Sequence, residues 1–366
     1  MIRVAVTLGP RAYLVQVGSG GLEQLGAVVR EQGGAGGFSA AALVADGGLP
    51  SALVERARAQ LQGLGLGVTE TRLRGERAKS LGTVLRLCTE FRRSALDRRA
   101  LVVALGGGVV GDVAGFAAAV YLRGIALLHC PTTLQAMVDS AIGGKTGVNL
   151  AVGKNLVGAV HQPVAVVCDP ELLRGLPPRD RRAAFGEIVK YGMVSDPEVL
   201  SLLDELGPGA GADDPARLEP LIARCVAAKA EVVTGDEHDH GRRAILNYGH
   251  TIGHALESTL GYGRLRHGEA VAIGMRVAGR LSVELRDCPA ADIAEQDRRL
   301  DGFRLGCLPR GLDCDPAQLL AAARHDKKVV DGDPRWVLLD RLGHATAGHR
   351  VPPARALAAL QEVLAS

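Results

Sequence analysis

Short apolar runs alternate with amphipathic stretches through the first half of the chain. The apolar run 101–105 is typical of a buried strand, and 50–62 has helical periodicity, with a proline in the first turn, where its missing N–H costs little. Further strands are predicted at 41–45, 125–128 and 164–168. Because strands and helices alternate, we predict a Rossmann-like α/β domain with a mostly parallel sheet and helices on both faces.

The pattern changes after about residue 180, where segments with a period near 3.6 residues dominate. Helices are predicted at 181–193, 197–206, 218–233, 251–260, 269–285 and 316–324. We therefore predict two domains, an α/β domain over 1–175 and a mainly α-helical domain over 176–366, as is usual for a chain of 366 residues.

Composition excludes several classes of function. Aromatic residues make up 3% of the chain and the formal net charge is +3, so we expect no nucleic-acid partner. The seven cysteines are irregularly spaced and include no CxxC pair, which favours free thiols in a reducing compartment. The longest apolar region, 113–128, is interrupted by Arg123, so we expect no membrane span and a cytoplasmic protein.

Three histidines that lie close together in sequence indicate a metal site. His250 and His254 share one face of a predicted helix, and His267 follows. Imidazole is the commonest protein ligand for metals, and catalytic zinc usually has three protein ligands and one open position. Glu187 is a further candidate, because it lies in an otherwise apolar helical stretch. The spacing leaves two ligand sets open, the three histidines or Glu187 with two of them.

A glycine-rich turn follows the strand at 101–105 and precedes a helical run that is predicted from Gly111. Gly106, Gly108 and Gly111 satisfy the pattern G-x-G-x-x-G, which lets backbone N–H groups approach a pyrophosphate at a helix N-terminus. The acidic residue that usually follows about 20 positions later is missing. The turn is therefore compatible with dinucleotide binding and equally with a tight connection that binds nothing.

A second polar segment, 139–155, combines Lys145, Lys154, Asn149 and Asn155 with glycines. It lacks the spacing of a P-loop. Lysine supplies a compact charge for phosphate, and glycine allows close backbone approach. We predict a loop that binds an anion, with a solvated surface loop as the alternative.

The motifs of this chain, taken in order, closely resemble those of the 3-dehydroquinate synthase family over residues 75–343. They are GGGVVGDVAGF (106–116), YLRG (121–124), PTTL (131–134), DSAIGGKTGVN (139–149), GKNLVGA (153–159), GEIVKYG (186–192), NYGHTIGHALE (247–257), HGEAVAIGM (267–275) and DKK (326–328). Several such blocks in the right order are far more specific than any one of them.

The resemblance implies an NAD-binding α/β domain and a helical domain that binds zinc or cobalt, with the active site between them. It implies conversion of 3-deoxy-D-arabino-heptulosonate 7-phosphate to 3-dehydroquinate and phosphate by a homodimer. The metal ligands implied are Glu187, His250 and His267, with His254 facing the substrate phosphate.

The family pattern also implies roles for other residues. Those implied for the phosphate are Lys145, Asn155, one of Lys327 and Lys328, and Arg123 from a second subunit. Lys229 and Arg243 are implied for the substrate carboxylate, and Asp139, Lys190 and Asn247 for hydroxyls or the ring near the cofactor. Those implied for NAD are Asp46, Glu76, Lys79, Gly108, Val109, Val110, Gly111, Asp112, Thr132, Thr133, Lys145, Lys154 and Leu172.

Three alternatives remain open at this point. The first is another sugar-phosphate cyclase, such as an aminodehydroquinate or 2-deoxy-scyllo-inosose synthase, although Lys229 and Arg243 favour a substrate with a carboxylate. The second is a metal-dependent alcohol dehydrogenase of the glycerol dehydrogenase type. The third is a non-catalytic NAD-binding protein with a structural zinc. The chain departs from the family pattern at Arg74, Gly48 and Asp239, where an acidic residue, asparagine and glutamate are usual.

Overall fold

A computed structural model describes residues 1–207, 209, 214–324, 329–330 and 333–365. The chain forms two compact units, Met1–Leu176 with Asp214–Thr234 and Pro177–Asp213 with Gly235–Ser366. The single boundary near residue 175 stays a prediction. The structure adds that 214–234 groups with the first unit, although the sequence pattern assigned this segment to the later helices.

The strands are β1 (Ile2–Val6), β2 (Tyr13–Val17), β3 (Ala40–Asp46), β4 (Gly67–Leu73), β5 (Leu101–Gly106), β6 (Ala126–Pro131), β7 (Lys145–Leu150), β8 (Gly153–Val160), β9 (Ala165–Cys168), β10 (Val329–Val330), β11 (Asp333–Pro334), β12 (Trp336–Arg341) and β13 (His344–His349). The helices are α1 (Leu25–Gln32), α2 (Ser51–Gln62), α3 (Leu81–Arg93), α4 (Gly108–Val120), α5 (Pro178–Val194), α6 (Glu198–Leu206), α7 (Glu219–Gly235), α8 (His250–Leu260), α9 (His267–Arg286), α10 (Ala290–Gly302), α11 (Pro316–Ala323) and α12 (Pro353–Ala365).

Within residues 1–176, all of which are described, seven strands form one sheet in the order β1-β2-β9-β6-β5-β3-β4. The pair β1–β2 is antiparallel and the other neighbours are parallel. The chain runs from β3 outward to β4, returns to the other side of β3 as β5, and then continues to β6. The strand order therefore reverses between β3 and β5, which is where open α/β sheets bind ligands.

Both faces of the sheet are buried because the central strands are apolar at nearly every position. Along β3, Ala42 and Val44 contact a cluster that includes Val113 of α4, while Leu43 contacts a second cluster that includes Val54 of α2. Successive side chains of a strand point to opposite faces, so the two clusters lie on the two faces. The predicted Rossmann-like sheet with helices on both faces is confirmed.

We predicted a loop over the segment 139–155, but only part of this segment is a loop. Its second half belongs to an antiparallel hairpin, β7–β8, in which Gly147 is opposite Gly158. A Cβ atom on Gly158 would lie 1.9 Å from the carbonyl oxygen of Thr146, so only glycine permits this approach. Thr146 and Val148 are buried and give β7 an apolar side that packs against α4. The glycines, which suggested a loop, are what allow the strands to pair.

Helix α7 belongs to the first unit through polar as well as apolar contacts. Glu219, its first residue, accepts hydrogen bonds from the backbone N–H and the hydroxyl of Ser19, both at 2.7 Å. Lys229, farther along the helix, donates to the backbone carbonyl oxygen of Asp139 at 2.6 Å. These bonds fix both halves of α7 to the first unit.

The second unit is mainly helical, as predicted, and α9 is its most buried helix. Helices α10 and α12 were not predicted. Helix α10 has few apolar positions, and one of its core positions is Gln296, which is fully buried and accepts a hydrogen bond from Tyr248 at 2.8 Å. Among the described residues no helix is long and apolar enough to cross a membrane.

Candidate active site

Three candidate metal ligands lie on three helices of the second unit. Glu187 is fully buried in the middle of α5, His250 is the first residue of α8, and His267 is the first residue of α9. A buried carboxylate is costly unless cationic groups or hydrogen bonds compensate its charge. Glu187 therefore requires such partners. They are His250 and His267 at the starts of α8 and α9, and Lys190 on α5.

Glycines beside the ligands let the helices approach closely. A Cβ atom on Gly268 would lie 1.8 Å from the carbonyl oxygen of Ala183, and one on Gly186 would lie 2.3 Å from that of Gly268. Gly249, just before α8, has a φ of +79°, a conformation that other residues rarely adopt. The sequence pattern of glycine next to each ligand thus brings three side chains together.

The spacing of the donor atoms is compatible with an ion in tetrahedral coordination. Glu187 Oε1 lies 3.5 Å from His250 Nε2 and 3.2 Å from His267 Nε2, and all three donor atoms lie within 4.8 Å of one another. Ligands bound to zinc at about 2.0–2.1 Å in a tetrahedral site are separated by about 3.3 Å. One carboxylate and two imidazoles also match a catalytic site that keeps a fourth position open. The residues present therefore fit a divalent cation.

The second nitrogen of each imidazole has a fixed partner. His250 Nδ1 lies 3.1 Å from the carbonyl oxygen of Tyr248, and His267 Nδ1 lies 3.0 Å from Glu257 Oε2. A carbonyl or carboxylate oxygen accepts a hydrogen bond from Nδ1–H, which leaves Nε2 with its lone pair for a metal. Burial alone would lower the pKa of His267, but hydrogen bonds to Glu187 and Glu257 raise that pKa to about 10. A cation bound here displaces a proton.

The other oxygen of Glu187 pairs with the ammonium group of Lys190, one turn farther along α5. The Lys190 side chain is 2% exposed, so this pair lies in the interior of the unit. The carboxylate thus has one oxygen toward an internal cation and one toward the imidazoles.

The first turn of α9, which carries His267, is anchored by Glu269. The Glu269 carboxylate accepts the backbone N–H of Arg266 at 2.9 Å and two hydrogen bonds from the Arg179 guanidinium at 2.8 Å each. Burial raises the pKa of Glu269, but these donors together bring it below its ordinary value. The helix start is therefore held from α5 by a charged, bidentate contact.

His254 is not part of the group that contains Glu187. Its ring centroid is 5.4 Å from that of His250, and its donor atom groups instead with Glu257 and His267. Of the two ligand sets that the sequence left open, the described structure gathers Glu187, His250 and His267. The role of His254 at a substrate phosphate stays a prediction.

A second feature of this unit is the turn that holds Arg243, which is 2% exposed. The Asp236 carboxylate accepts backbone N–H groups of His240, Gly241 and Arg243 at 2.7–3.0 Å. Burial opposes the charge of Asp236, yet these hydrogen bonds bring its pKa below the ordinary value. The Arg243 side chain donates to the Glu237 carbonyl oxygen at 2.6 Å, and Asn247 at the end of the same 3-10 segment donates to the Ala244 carbonyl oxygen.

The residues implied for NAD lie at one edge of the sheet in the first unit. Asp46 ends β3, the turn after Gly106 follows β5, and Thr132 and Thr133 follow β6. Residues from Glu76 to Lys79 follow β4, and Leu172 follows β9. Because these strands are parallel, their carboxyl ends share one edge, which includes the crevice between β3 and β5 where the strand order reverses.

The glycine-rich turn ends three residues earlier than predicted. Helix α4 begins at Gly108 rather than Gly111, so Val109, Val110, Gly111 and Asp112 lie in its first turns. No side chain caps this helix in the described structure, and its first N–H groups point out of its N-terminus. A Cβ atom on Gly108 would lie 3.1 Å from Ser140 Oγ. The groups available to a ligand at this N-terminus are therefore backbone N–H groups, which are suited to a pyrophosphate.

Polar residues from other elements surround this edge. Lys79 pairs with Asp112, and Asp46 accepts the backbone N–H of Gly48 at 2.8 Å. Burial raises the pKa of Asp112, against the effect of the Lys79 charge. Beneath the first turn of α4 lies the buried ring of His129, whose pKa burial lowers to about 4, with a further contribution from His161.

The hairpin is connected to the same edge by Asn149. Its side chain donates to Glu76 Oε1 at 2.8 Å and accepts the backbone N–H of Asn155 at 3.0 Å. Lys154 lies 3.9 Å from the same Glu76 oxygen, and Asn155 has a φ of +55°. Lys145 is exposed at the start of β7. Candidate phosphate and cofactor residues of the first unit thus share one network.

The remaining candidates are placed as follows. Asp139 pairs with Lys229 within the first unit. Arg123 is exposed and has a φ of +68°, between Leu122 and Gly124, which also have positive φ. Lys327 and Lys328 lie outside the described residues. Glu257, which contacts His267, was quoted in a motif without a predicted role. The signal for Glu257 was its position seven residues after His250, two turns along the same helix face.

Two family models match this chain, 3-dehydroquinate synthase N-terminal over residues 71–183 and 3-dehydroquinate synthase C-terminal over residues 184–329. The chain belongs to the 3-dehydroquinate synthase family. A 3-dehydroquinate synthase of Gloeobacter violaceus is 43% identical over 353 residues, which are 96% of each protein. One of Symbiobacterium thermophilum is 44% identical over 94% of this chain and 96% of that protein. The resemblance read from the motifs is confirmed.

Solved structures related to the 3-dehydroquinate synthase family share the fold. A 2-deoxy-scyllo-inosose synthase complexed with carbaglucose-6-phosphate, NAD+ and Co2+ is 30% identical, with a TM-score of 0.90 over 99% of this chain and 100% of that one. The 2-epi-5-epi-valiolone synthase of Streptomyces hygroscopicus, with NAD+ and Zn2+ bound, is 29% identical, with a TM-score of 0.80 over 89% and 91%. An iron-containing alcohol dehydrogenase of Thermotoga maritima is 15% identical, with a TM-score of 0.70 over 96% and 98%, and shares the fold alone.

Proposed function

We propose that this protein is a 3-dehydroquinate synthase of the shikimate pathway. It converts 3-deoxy-D-arabino-heptulosonate 7-phosphate to 3-dehydroquinate and phosphate, with NAD and a divalent cation, zinc or cobalt. The observation that carries the proposal is the group Glu187, His250 and His267, whose donor atoms lie within 4.8 Å of one another in a chain of this family. The NAD+, Co2+ and Zn2+ named for related cyclases support the choice of cofactors.

When bound, the cation would supply a Lewis acid that lowers the pKa of a substrate hydroxyl, and NAD would supply a reversible acceptor for hydride. Glu187, His250 and His267 hold the cation. The N-terminus of α4, with Asp46, Glu76, Lys79, Lys154, Thr132, Thr133 and Leu172, holds NAD. These assignments rest on the donor chemistry of the first set and on the position of the second at the carboxyl edge of the sheet.

Cationic groups then position the substrate and stabilise the phosphate that leaves. Lys145, Asn155 and His254 bind the phosphate, with Arg123 contributed by a second subunit. Arg243 and Lys229 bind the carboxylate, and Asp139, Lys190 and Asn247 contact hydroxyls or the ring. The rigid turn around Asp236 supports the role of Arg243, because a preorganised guanidinium binds a carboxylate in a defined geometry.

We propose a homodimer as the working form. Exposed apolar side chains occur at the end of α4 and on the hairpin that packs against it, among them Val120, Leu122, Leu156 and Val160. Arg123 lies within this group in sequence and has a strained backbone, which is common at functional sites. We also propose a cytoplasmic location, because the seven cysteines are all free thiols.

The deciding experiment is a reaction with defined components. Protein, NAD, zinc and the heptulosonate phosphate are mixed, free phosphate is followed, and the carbocyclic product is identified by mass spectrometry. We expect equal amounts of phosphate and 3-dehydroquinate without net NADH. Net NADH would indicate an alcohol dehydrogenase instead. Turnover of the amino analogue or of glucose 6-phosphate, but not of the heptulosonate, would indicate another sugar-phosphate cyclase.

Arg243 tests the choice of a substrate that carries a carboxylate. We expect Arg243→Ala to lower kcat/KM by about 10- to 100-fold, since a charge-assisted hydrogen bond contributes about 1.5–3 kcal/mol. Arg242→Ala, at the exposed neighbouring position, is the control. An unchanged kcat/KM in the Arg243 variant would reject its role.

A further inference from the structure

The two imidazoles of the metal group are held by different kinds of partner. His250 Nδ1 faces the backbone carbonyl oxygen of Tyr248, a neutral acceptor that is part of the chain itself. His267 Nδ1 faces the carboxylate of Glu257, at 3.0 Å. One imidazole is therefore oriented by the path of the main chain, and the other by a charged side chain.

Glu257 is built into the interior of the second unit. It lies on α8 and is 7% exposed, so its charge is expensive to bury without compensation. Its oxygen accepts the Nδ1 proton of His267, while Nε2 of the same ring lies 3.2 Å from Glu187 Oε1. The ring is thereby held between two carboxylates, with one nitrogen assigned to each.

We propose that Glu257 is a positioning residue that sets the affinity of the metal site. It fixes the tautomer and orientation of His267, and its negative charge makes the imidazole a stronger donor. The inference rests on the proposed function in one respect, namely that Glu187, His250 and His267 bind a cation. It adds a residue outside the ligand group, which acts on the ion through His267.

The balance of charge near the ion supports the same conclusion. Glu187 and Lys190 form a pair whose charges cancel, so the ligand group itself contributes little net charge. Glu257 adds a negative charge one imidazole away from the ion. Its removal takes away attraction for a divalent cation as well as the hydrogen bond.

The experiment separates these two contributions. The metal-free full-length protein is titrated with Co2+ in competition with a chelator, for the wild type, Glu257→Gln and Glu257→Ala. Glu284→Gln is the matched control, because Glu284 is a partly exposed acid on α9 that pairs with Arg355. Visible absorption of bound Co2+ reports the ligand geometry, and denaturant unfolding of the metal-free forms reports folding.

We expect Glu257→Ala to weaken Co2+ binding by about 10- to 100-fold and to change the absorption bands. Glu257→Gln is expected to fall between Ala and the wild type with bands near those of the wild type, because its amide oxygen still accepts the hydrogen bond. Glu284→Gln is expected to bind as the wild type does. If Glu257→Ala does not fold, Glu257→Gln decides through its affinity alone.

Equal Co2+ affinities in the wild type and both Glu257 variants would overturn the proposal while leaving the ligand group intact. A different failure is detected with His250→Ala and His267→Ala. If both still bind one Co2+ per chain with wild-type affinity, the ligand group is wrong, and the proposed function loses its metal site together with this inference.

Discussion

The metal group and the glycine-rich turn, which we propose as sites for a cation and for NAD, show two ways of building a binding site. The turn, in the first unit, uses backbone N–H groups of a few consecutive residues at the start of α4. The metal group, in the second unit, uses side chains of three helices that are distant in sequence. A local motif can specify the first kind of site, whereas the second depends on how the helices pack.

Two histidines show the same difference at the level of one residue type. His129, beneath the turn, is buried, and burial lowers its pKa to about 4, with a further contribution from His161. For His267, burial acts in the same direction, but two carboxylates reverse the result and raise its pKa to about 10. Burial therefore keeps His129 neutral, whereas neighbouring carboxylates favour the cationic form of His267 in the absence of a metal.

The largest effect is expected from removing a metal ligand. His250→Ala and His267→Ala should abolish metal binding and lower turnover by roughly 10³-fold or more, because several kcal/mol of Lewis-acid stabilisation is lost. His254→Ala should retain one ion per chain. Metal content after dialysis, with kcat, checks the prediction. Loss of the ion in the His254 variant would favour the set of three histidines.

The next effect concerns the packing that the metal group needs. Gly268→Ala places a Cβ atom 1.8 Å from a backbone oxygen of α5, so the helices must separate. We expect the free energy of unfolding to fall by about 3 kcal/mol and metal affinity to fall with it. Gly235→Ala, whose Cβ would meet nothing within 4 Å, is the control. Unfolding and metal titrations that match the control would contradict this account.

His129 tests the first unit through pH. Its pKa is 6.5 in the unfolded chain and about 4 in the folded one, so the unfolded chain takes up the proton first as pH falls. The folded state therefore loses up to about 3 kcal/mol between pH 6.5 and 4, and none above 6.5. His129→Gln and His129→Phe should flatten this part of the stability profile, measured by denaturant unfolding. A wild-type slope in both variants would refute the prediction.

The smallest effect is expected at the turn itself. Gly108→Ala adds a Cβ atom in the first turn of α4, where backbone must approach a pyrophosphate, and should weaken NAD binding about 10-fold. Metal affinity should not change, because the metal group lies on other helices. Calorimetric titration with NAD measures the effect, and Gly67→Ala, with open space around its Cβ, is the control. If Gly108→Ala bound NAD as tightly as Gly67→Ala, the turn would only connect β5 to α4.

The sequence predicted the central strands of the first unit because β3, β5, β6 and β9 are almost entirely apolar, and it predicted the glycine-rich turn because that motif is local. It mislocated the start of α4, since Gly108 reads as part of a turn although the helix begins there. It missed α10, because Gln296 occupies a core position that a pattern of apolar residues cannot detect. It left the metal ligands open, since spacing places His250 and His254 on one face but says nothing about where α5 lies. Only the packed helices bring Glu187 to His250 and His267.

The chain crosses between the two units three times, after Leu176, before Asp214 and after Thr234. Helix α7 belongs to the first unit, since its Glu219 and Lys229 form hydrogen bonds with Ser19 and Asp139. It is therefore synthesised later than 177–213 of the second unit. Residues 1–176, which contain the whole sheet, are synthesised first, whereas α7 of the same unit is made only after 177–213. The first unit is therefore complete only after part of the second has been synthesised, and truncation of the chain at residue 176 would remove α7 from it.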